Sequence, residues 1–221
     1  MIPVDLHSHS LFSLCGLHSI VEMLSEARRR GMDALAITDH GPALKGRVAT
    51  TFFDRLHDPV PGIRLLKGME CNIVDDDGTI DMRERLLPYC DVVLLGLHPT
   101  VSRGRSAADY TDLLVRALDR NPCVDIITHP NSAEFPVEFD RLARDAAGRG
   151  VALEINNSKT LLQRVDDCVT EAFMAACCEA GCDVALCSDA HALNEVGDDS
   201  AVRPLLDRSG IEQNHIINHS A

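Results

Sequence analysis

Residues 4–40 read VDLHSHSLFSLCGLHSIVEMLSEARRRGMDALAITDH, and the rest of the chain repeats the pattern of this segment. Short apolar runs at Val4–Leu6 and Ala34–Thr38 predict two buried strands, and the apolar spacing over Ser19–Arg30 predicts an amphipathic helix between them. Near-continuous apolar strands are typical of parallel sheets that helices cover on the outside. The segment therefore predicts one strand–helix–strand unit of an α/β fold.

The same alternation of strands and helices continues along the chain. Further buried strands are predicted at Ile63–Met69, Val92–Leu97, Asp125–Thr128, Val151–Ile155 and Val184–Ser188. Further helices are predicted at Ala107–Asn121, Glu138–Gly148, Val169–Ala180 and Ala201–Ser209. About seven such units in 221 residues favour a small, distorted (β/α)7 TIM-like barrel over an open sheet. Since no linker or low-complexity segment divides the chain, we expect residues 1–221 to form a single domain.

Composition limits the partners and the compartment. The formal net charge is −13, from 34 acidic and 21 basic residues, so a nucleic acid is disfavoured as a partner because its phosphates would be repelled. Nine cysteines without a repeating framework, and no signal peptide, favour reduced thiols and a cytoplasmic location. No apolar run approaches the ~18 residues of a membrane helix, so no membrane partner is expected. No feature of the sequence indicates an oligomeric state.

Side chains that can bind divalent metals follow six of the seven predicted strands. They are His7 and His9, Asp39 and His40, Glu70, His98, His129, and Asp189 and His191. In a parallel barrel the C-terminal ends of the strands open on one face, where barrel enzymes have their active sites. A single histidine at a strand end is more often a hydrogen-bonded structural residue, but six such strand ends predict a metal site. His57, His215 and His219 lack this position and are expected to be solvated.

Seven short motifs lie at or near these strand ends. They are VDLHSHS at 4–10, ITDHG at 37–41, GME at 68–70, GLH at 96–98, THP at 128–130, LEIN at 153–156 and SDAH at 188–191. In this order and spacing they resemble the PHP (polymerase and histidinol phosphatase) family, most closely its small stand-alone phosphatases. The resemblance implies a distorted seven-stranded (β/α) barrel with its active site at the C-terminal ends of the strands. It also implies a trinuclear site of zinc, manganese or iron, and phosphoesterase activity on a small phosphorylated substrate.

The resemblance further implies how the ligands are shared among the metals. Four residues would hold the first metal: His7, His9, Glu70 and Asp189. Glu70 would bridge to a second metal, which His98 and His129 complete. This ligand set suits the chemistry, because imidazole binds zinc, manganese and iron and carboxylates bridge metal pairs well.

The third metal would be held by His40, His191 and one further ligand. Members of the family usually have a histidine or an aspartate near position 15, which is Cys15 in this chain. A thiolate is a strong ligand for zinc or iron. His18, three residues later, can also reach back over the barrel mouth and suits manganese. Cys15, His18 and a buried, unligated Cys15 are therefore the alternatives.

The mechanism that the resemblance implies depends on metals that lie close together. A water between two metals ~3.5–4 Å apart would lose a proton near neutral pH and attack phosphorus in line. Glu70, Asp189 and His191 are accordingly the expected catalytic residues. Asp39 and Glu154 are candidates to accept hydrogen bonds from ligand histidines and to fix the orientation of the rings, and a plain structural role is the alternative for each.

Two arginines follow the fourth strand-end histidine along the chain. Arg103 and Arg105 lie in the loop after His98, where they could clamp a substrate phosphate through paired hydrogen bonds. The alternative is an exposed pair in a loop rich in glycine and serine.

The favoured function is a metal-dependent phosphatase acting on small phosphate esters, with histidinol phosphate as one possible substrate. An amidohydrolase-like C–N or C–O hydrolase is a second interpretation. Lys45, Lys67 and Lys159 do not fit the strand-end position of a carboxylated lysine, which counts against it. A non-catalytic metal-binding PHP module is a third interpretation, and the retention of eight matched ligands counts against it. The negative net charge disfavours an exonuclease on long DNA.

Overall fold

The computed structural model describes residues 1–47 and 49–218 of the chain. Seven parallel strands follow one another in chain order in one sheet: β1 (Val4–Asp5), β2 (Ala34–Ile37), β3 (Arg64–Asn72), β4 (Val92–Gly96), β5 (Ile126–Ile127), β6 (Ala152–Asn156) and β7 (Val184–Cys187). Ser8, just after β1, pairs in parallel with Ala190, just after β7, so the two edges of the sheet meet. The predicted α/β fold, a (β/α)7 TIM-like barrel, is confirmed.

Helices lie between the strands. They are α1 (Ile20–Arg29), α2 (Thr50–Arg55), α3 (Ala107–Arg120), α4 (Phe139–Arg149), α5 (Asn157–Leu161), α6 (Asp167–Ala180) and α7 (Arg203–Ser209). Short 3-10 helices occur at Pro42–Leu44, Glu84–Tyr89, Leu193–Glu195 and Gln213–His215. The five predicted helices are present with small shifts at their ends. The prediction omits α2 and α5 because five or six residues are too few to show a helical repeat.

Two apolar layers hold the barrel together. The inner layer comes from alternate residues of the strands: Val4, Leu6, Ala34, Ala36, Leu66, Val92, Leu94, Ile126, Ala152, Ala185 and Cys187. Leu35 and Ile37 of β2 point the other way and pack in the outer layer, under the helices. Both faces of each strand are thus buried, which explains why the strands read as continuous apolar runs. Alanine at several inner positions suits the narrow interior of a small barrel.

Strand β3 is longer than the sequence predicts. It continues through Cys71 and Asn72, which are paired with Leu95 and Gly96 of β4. Glu70, expected after the end of this strand, therefore lies within it. The backbone pairing on both sides of Glu70 fixes the direction of its carboxylate.

The remaining features lie away from the barrel mouth. Among the residues that the structure describes, no helix is long and apolar enough to cross a membrane. His57 is exposed as expected, and the half-buried His215 places Nδ1 2.8 Å from Asp183 Oδ1. His219 lies outside the described residues.

Candidate metal centre

The predicted ligands continue the inward-facing rows of the strands. Leu66 of β3 lies in the inner apolar layer, and Glu70, four residues later, faces the same side. Ala185 of β7 and Asp189 are related in the same way. Each row is thus apolar deep in the barrel and polar at its C-terminal mouth. We call the histidines and carboxylates at this mouth the ligand cluster: His7, His9, His40, Glu70, His98, His129, Asp189 and His191.

Irregular backbone at the strand ends aims several of these side chains. His129 and Asp189 have φ values of 34° and 53°, in the left-handed region that residues with a side chain seldom adopt. At Gly96 an added Cβ would lie 2.4 Å from His98 Cε1 and 2.7 Å from Thr128 Oγ1. Only glycine therefore leaves room for the ring of His98 at this point.

Four donor atoms surround a space of the size that a zinc ion requires. His7 Nε2 and His9 Nε2 lie 3.0 Å apart, and each lies 3.4 Å from Glu70 Oε2. Their distances to Asp189 Oδ1 are 3.5 and 3.3 Å. Ligands bound tetrahedrally at zinc distances lie about 3.3 Å from one another. The geometry of this first group therefore fits a tetrahedral metal.

The second oxygen of Glu70 faces a different pair of histidines. Glu70 Oε1 lies 3.3 Å from His98 Nε2 and 3.0 Å from His129 Nε2. Thr128 Oγ1 donates a hydrogen bond to the same oxygen at 2.8 Å. The two oxygens of one carboxylate thus belong to two groups of donors, as a bridging ligand requires.

The loop over residues 11–18 decides between the two candidates for the third site. An added Cβ at Gly16 would lie 2.1 Å from the backbone oxygen of Ser10, so the loop packs against the chain too closely for any other residue. The carbonyl of His18 accepts a hydrogen bond from Leu11 N at 2.8 Å and closes the base of the loop. In the described part of the chain, the side chain of His18 joins no group of converging metal donors.

Cys15 does reach the mouth. Its sulfur lies within 4.8 Å of donor atoms of His9 and His40. Burial alone would raise the pKa of the Cys15 thiol, but contacts with His191 and His40 outweigh it and lower the pKa to about 6. His191 Nδ1 lies 2.7 Å from the carbonyl oxygen of Asp189 and donates to it, which leaves Nε2 free. The structure thus brings Cys15 together with His40 and His191, and we refer to these three residues as the third group.

Three buried polar atoms in the ligand cluster have no hydrogen-bond partner in the described structure: His40 Nδ1, Glu70 Oε2 and His98 Nδ1. His40 Nδ1 and Glu70 Oε2 are 2.9 Å apart but are not aligned for a hydrogen bond. Buried polar atoms are rarely left unpaired in proteins, and a bound ion is one of the few explanations. Glu70 Oε2 and His40 Nδ1 therefore fit a metal centre, whereas the nitrogen of His98 that faces Glu70 is its other one, Nε2.

The charge states of the first group also suit a cation. Burial opposes the ionisation of Glu70, but His7 and neighbouring imidazoles outweigh it and hold the pKa of Glu70 well below its usual range. His7 and His9 do the same for the pKa of Asp189. Burial lowers the pKa of His9 to about 3, so its imidazole is neutral. Burial alone would lower the pKa of His7, but the carboxylates around it raise the pKa well above its usual range. The same negative field favours a bound cation.

Glu154 makes the contacts expected of a residue that orients a ligand. Its Oε1 lies 2.6 Å from His7 Nδ1, so His7 donates from Nδ1 and keeps Nε2 for the first group. Its Oε2 accepts from the backbone N of His129 at 2.6 Å and from Asn156 Nδ2 at 3.0 Å. One carboxylate thus orients two members of the ligand cluster.

For Asp39 the expected direct contact with a ligand histidine is wrong. Its carboxylate accepts from Ser10 N at 2.8 Å, Ser10 Oγ at 2.6 Å and Ser13 N at 3.0 Å. Ser13 Oγ in turn lies 3.2 Å from His9 Nδ1. Because the loop after β1 folds back over Asp39, its serines occupy the carboxylate, and Asp39 reaches His9 only through Ser13.

The structure does not bring Arg103 and Arg105 into the ligand cluster. Arg103 lies 2.5 Å from Glu134, and Arg105 lies 2.5 Å from Asp76. The Arg103 side chain is 66% exposed. Each guanidinium is neutralised by a carboxylate from another loop, and of the two side chains Arg103 is exposed whereas Arg105 is 19% exposed.

Two polar residues at the C-terminal end of β6 and in helix α5 contact the site, although neither of them was predicted there from the sequence. Asn156 Nδ2 donates to Asp189 Oδ2 at 3.1 Å, and Lys159 Nζ lies 3.9 Å from the same oxygen. A search restricted to metal-binding side chains misses both. The available signal is their position where a strand of the barrel ends, since Asn156 is the last residue of the LEIN motif and Lys159 follows it by three residues.

Comparison with known proteins identifies the family. The model of the PHP domain family matches residues 5–158 of the chain. A probable phosphatase of Syntrophotalea carbinolica is 37% identical over 223 residues, which cover 98% of this chain and 92% of that protein. A probable phosphatase of Acetivibrio thermocellus is 32% identical over 220 residues, which cover 98% of this chain and 91% of that protein. The chain therefore belongs to the PHP domain family.

A solved structure shares the fold. Histidinol phosphate phosphatase from Lactococcus lactis, complexed with zinc, L-histidinol and phosphate, aligns with a TM-score of 0.65. The alignment covers 95% of this chain and 94% of that chain at 15% identity, so it shows a common fold. The predicted family is confirmed, and the probable phosphatases among its relatives confirm the predicted enzyme class, a phosphatase.

Proposed function

We propose that the chain hydrolyses small phosphate esters with divalent metal ions bound at the ligand cluster. The observation that carries this proposal is the placement of Glu70, whose two oxygens face separate sets of donors. Paired metals that share a carboxylate are common in enzymes that cleave phosphate esters. We further propose that residues 1–221 act as a single domain.

We assign three ions, of zinc, manganese or iron, to the three groups of donors. The first ion is assigned to His7, His9, Glu70 and Asp189. The second is assigned to Glu70, His98 and His129. The third is assigned to His40, His191 and Cys15, because the loop that carries Cys15 brings its sulfur to these imidazoles and holds His18 at its base.

The side chains of the chain prepare the site for this chemistry. When bound, divalent ions activate a water near neutral pH and offset the negative charge of a phosphoryl group. Glu70 and Asp189 remain ionised because imidazoles surround them. Glu154 holds His7 in the tautomer that leaves Nε2 free for a metal. We propose Glu70, Asp189 and His191 as the catalytic residues. Of these, His191 lies at the rim of the site, and we expect replacement of Glu70 or Asp189 to reduce the rate most.

A screen of phosphate esters tests the proposal. The purified protein is stripped with a chelator, reloaded with zinc, manganese or iron(II), and assayed on phosphomonoesters and phosphodiesters. We expect hydrolysis of at least one small monoester, its loss with the chelator and its return with the metal. A protein that binds metal but hydrolyses no phosphate ester, while it cleaves amides or carboxylic esters, would instead indicate an amidohydrolase-like enzyme.

A further inference from the structure

Hydrogen bonds at the end of β6 position Lys159 beside the ligand cluster. Helix α5 begins directly after this strand, and Lys159 N donates to Asn156 Oδ1 at 2.9 Å. The amide of Asn156 donates to Glu154 Oε2 at 3.0 Å and to Asp189 Oδ2 at 3.1 Å. The backbone of Lys159 is therefore held by a side chain that is itself bonded to two carboxylates of the site.

The ammonium group of Lys159 lies beside the cluster in a long ion pair with Asp189. Its Nζ lies 3.9 Å from Asp189 Oδ2, beyond hydrogen-bond distance, and the side chain is 22% exposed. In residues 1–47 and 49–218, no other lysine or arginine nitrogen lies within 4.0 Å of Asp189, Glu70 or Glu154. The donors of this cation are thus available at the rim of the ligand cluster.

We propose that Lys159 binds the phosphoryl group of the substrate. The inference rests on the proposed function and names the residue that recognises its substrate. A phosphate monoester is dianionic near neutral pH, and in a chain with a net charge of −13 the ammonium of Lys159 adds positive charge beside the proposed metal ions. Lysine is a common phosphate ligand because its ammonium is a compact charge with three donors. Arg103 and Arg105 are held in ion pairs at 2.5 Å outside the ligand cluster, whereas the pair between Lys159 and Asp189 is longer, at 3.9 Å, and includes no hydrogen bond.

A purely structural role for Lys159, as a support for Asp189, makes a different prediction. Asp189 Oδ2 already accepts a hydrogen bond from Asn156 at 3.1 Å, shorter than its 3.9 Å separation from Lys159 Nζ. If Lys159 served only to position Asp189, its loss would release metal from the first group. If Lys159 binds phosphate, its loss would leave the metal content unchanged.

The test compares three variants of the metal-loaded full chain. Lys159→Met removes the charge and keeps the length of the side chain, and Lys159→Arg restores a cation. Arg208→Gln is the matched control, because it also removes one positive charge, from an exposed pair with Glu171. Inorganic phosphate is titrated calorimetrically, metal is counted by elemental analysis, and KM and kcat are measured on a monoester that the wild type hydrolyses.

For Lys159→Met we expect phosphate affinity to fall about tenfold or more and KM to rise similarly, as for the loss of one charge-assisted hydrogen bond. Metal content should be unchanged, Lys159→Arg should recover most of the affinity, and Arg208→Gln should match the wild type. Unchanged phosphate affinity in Lys159→Met, or loss of metal, would overturn the inference. If the protein hydrolyses the monoester and Lys159→Met changes neither KM nor kcat, the inference about Lys159 is refuted and the proposed function stands. If phosphate binding depends on Lys159 but the protein hydrolyses no phosphate ester, the proposed function is refuted and the inference about phosphate binding stands.

Discussion

Replacing Glu154 by glutamine should disable the first group of donors without removing any of its four donor atoms. Both oxygens of Glu154 accept hydrogen bonds, one from His7 Nδ1 and the other from His129 N, each at 2.6 Å. Glutamine keeps the shape of the side chain but replaces one of these acceptors by an NH2 group. If the NH2 faces His129, it meets two other hydrogen-bond donors, the backbone N–H of His129 and the side-chain amide of Asn156, and none of the three has an acceptor at this point. An NH2 that faces His7 would force the imidazole into the tautomer that carries its proton on Nε2.

The NH2 meets two donors when it faces His129 but only one nitrogen when it faces His7. The second orientation is therefore favoured, and the tautomer of His7 should change. His7 Nε2 is the atom that lies 3.0 Å from His9 Nε2 and 3.4 Å from Glu70 Oε2, and a protonated Nε2 cannot bind a metal. Loss of such an orienting contact typically weakens metal binding by about 10- to 100-fold, or about 1.4–2.8 kcal/mol. Glutamine also lacks the charge that strengthens the contact of Glu154 with His7, so the free energy of unfolding of the metal-free protein should fall by about 1 kcal/mol.

Calorimetric titration of the metal-free protein with zinc measures the first effect, and chemical denaturation measures the second. Glu171→Gln is the control, since it removes a carboxylate from an exposed pair with Arg208 and should leave zinc affinity unchanged. If Glu154→Gln bound zinc and hydrolysed substrate as the wild type does, His7 Nε2 would not be a metal donor and the first group would be wrongly assigned.

Three further predictions concern the other donors. Glu70→Gln should nearly abolish hydrolysis without unfolding the chain, because an amide bridges two cations poorly; a rate assay with circular dichroism checks this, and an active variant with normal metal content would exclude the bridge. Cys15→Ser should lose about one ion per chain while His18→Ala loses none, and elemental analysis showing the reverse would make His18 the ligand. Acid should weaken metal binding: burial alone would lower the pKa of His40, but Glu70 and Cys15 raise it to about 10, so in the metal-free chain a proton occupies this imidazole and competes more strongly as pH falls. Because this pKa lies above the whole range, affinity and rate should decline steadily as pH falls from about 8 to 5, and a flat profile over this range would contradict a histidine-based site.

The barrel could be predicted because each strand is buried on both faces, and such strands are continuous apolar runs in the sequence. All four residues of β2, Ala34–Ile37, are buried, and such runs recur between amphipathic helices. Two short helices could not be predicted from apolar spacing. Thr50–Arg55 and Asn157–Leu161 span less than two turns, so no periodicity distinguishes them from loops. The extension of β3 through Asn72 depends on pairing with β4, which the sequence of β3 alone does not encode.

The candidate site could be predicted where it follows from the strands and not where it depends on loops. Glu70 and Asp189 could be predicted because each directly follows a predicted strand, and the C-terminal ends of parallel barrel strands meet at one mouth. The choice between Cys15 and His18 depends on how tightly Gly16 packs against the preceding chain, which spacing alone does not determine. The neighbours of Lys159 are likewise set by tertiary contacts, since Asp189 lies 30 residues further along the chain.

The same limit applies to the arginines. Arg103 and Arg105 follow a strand-end histidine, and this position suggests a phosphate clamp. Their carboxylate partners, Glu134 and Asp76, come from distant parts of the chain and become neighbours only in the folded protein. A charge in a loop can therefore be assigned a role only once its partners are known.

The number of metal ions per chain tests the central claim most directly. Elemental analysis of protein prepared without chelators and loaded with zinc, manganese or iron(II) should find close to three ions per chain, because three groups of donors converge at the mouth of the barrel. One ion or none per folded chain would contradict the account.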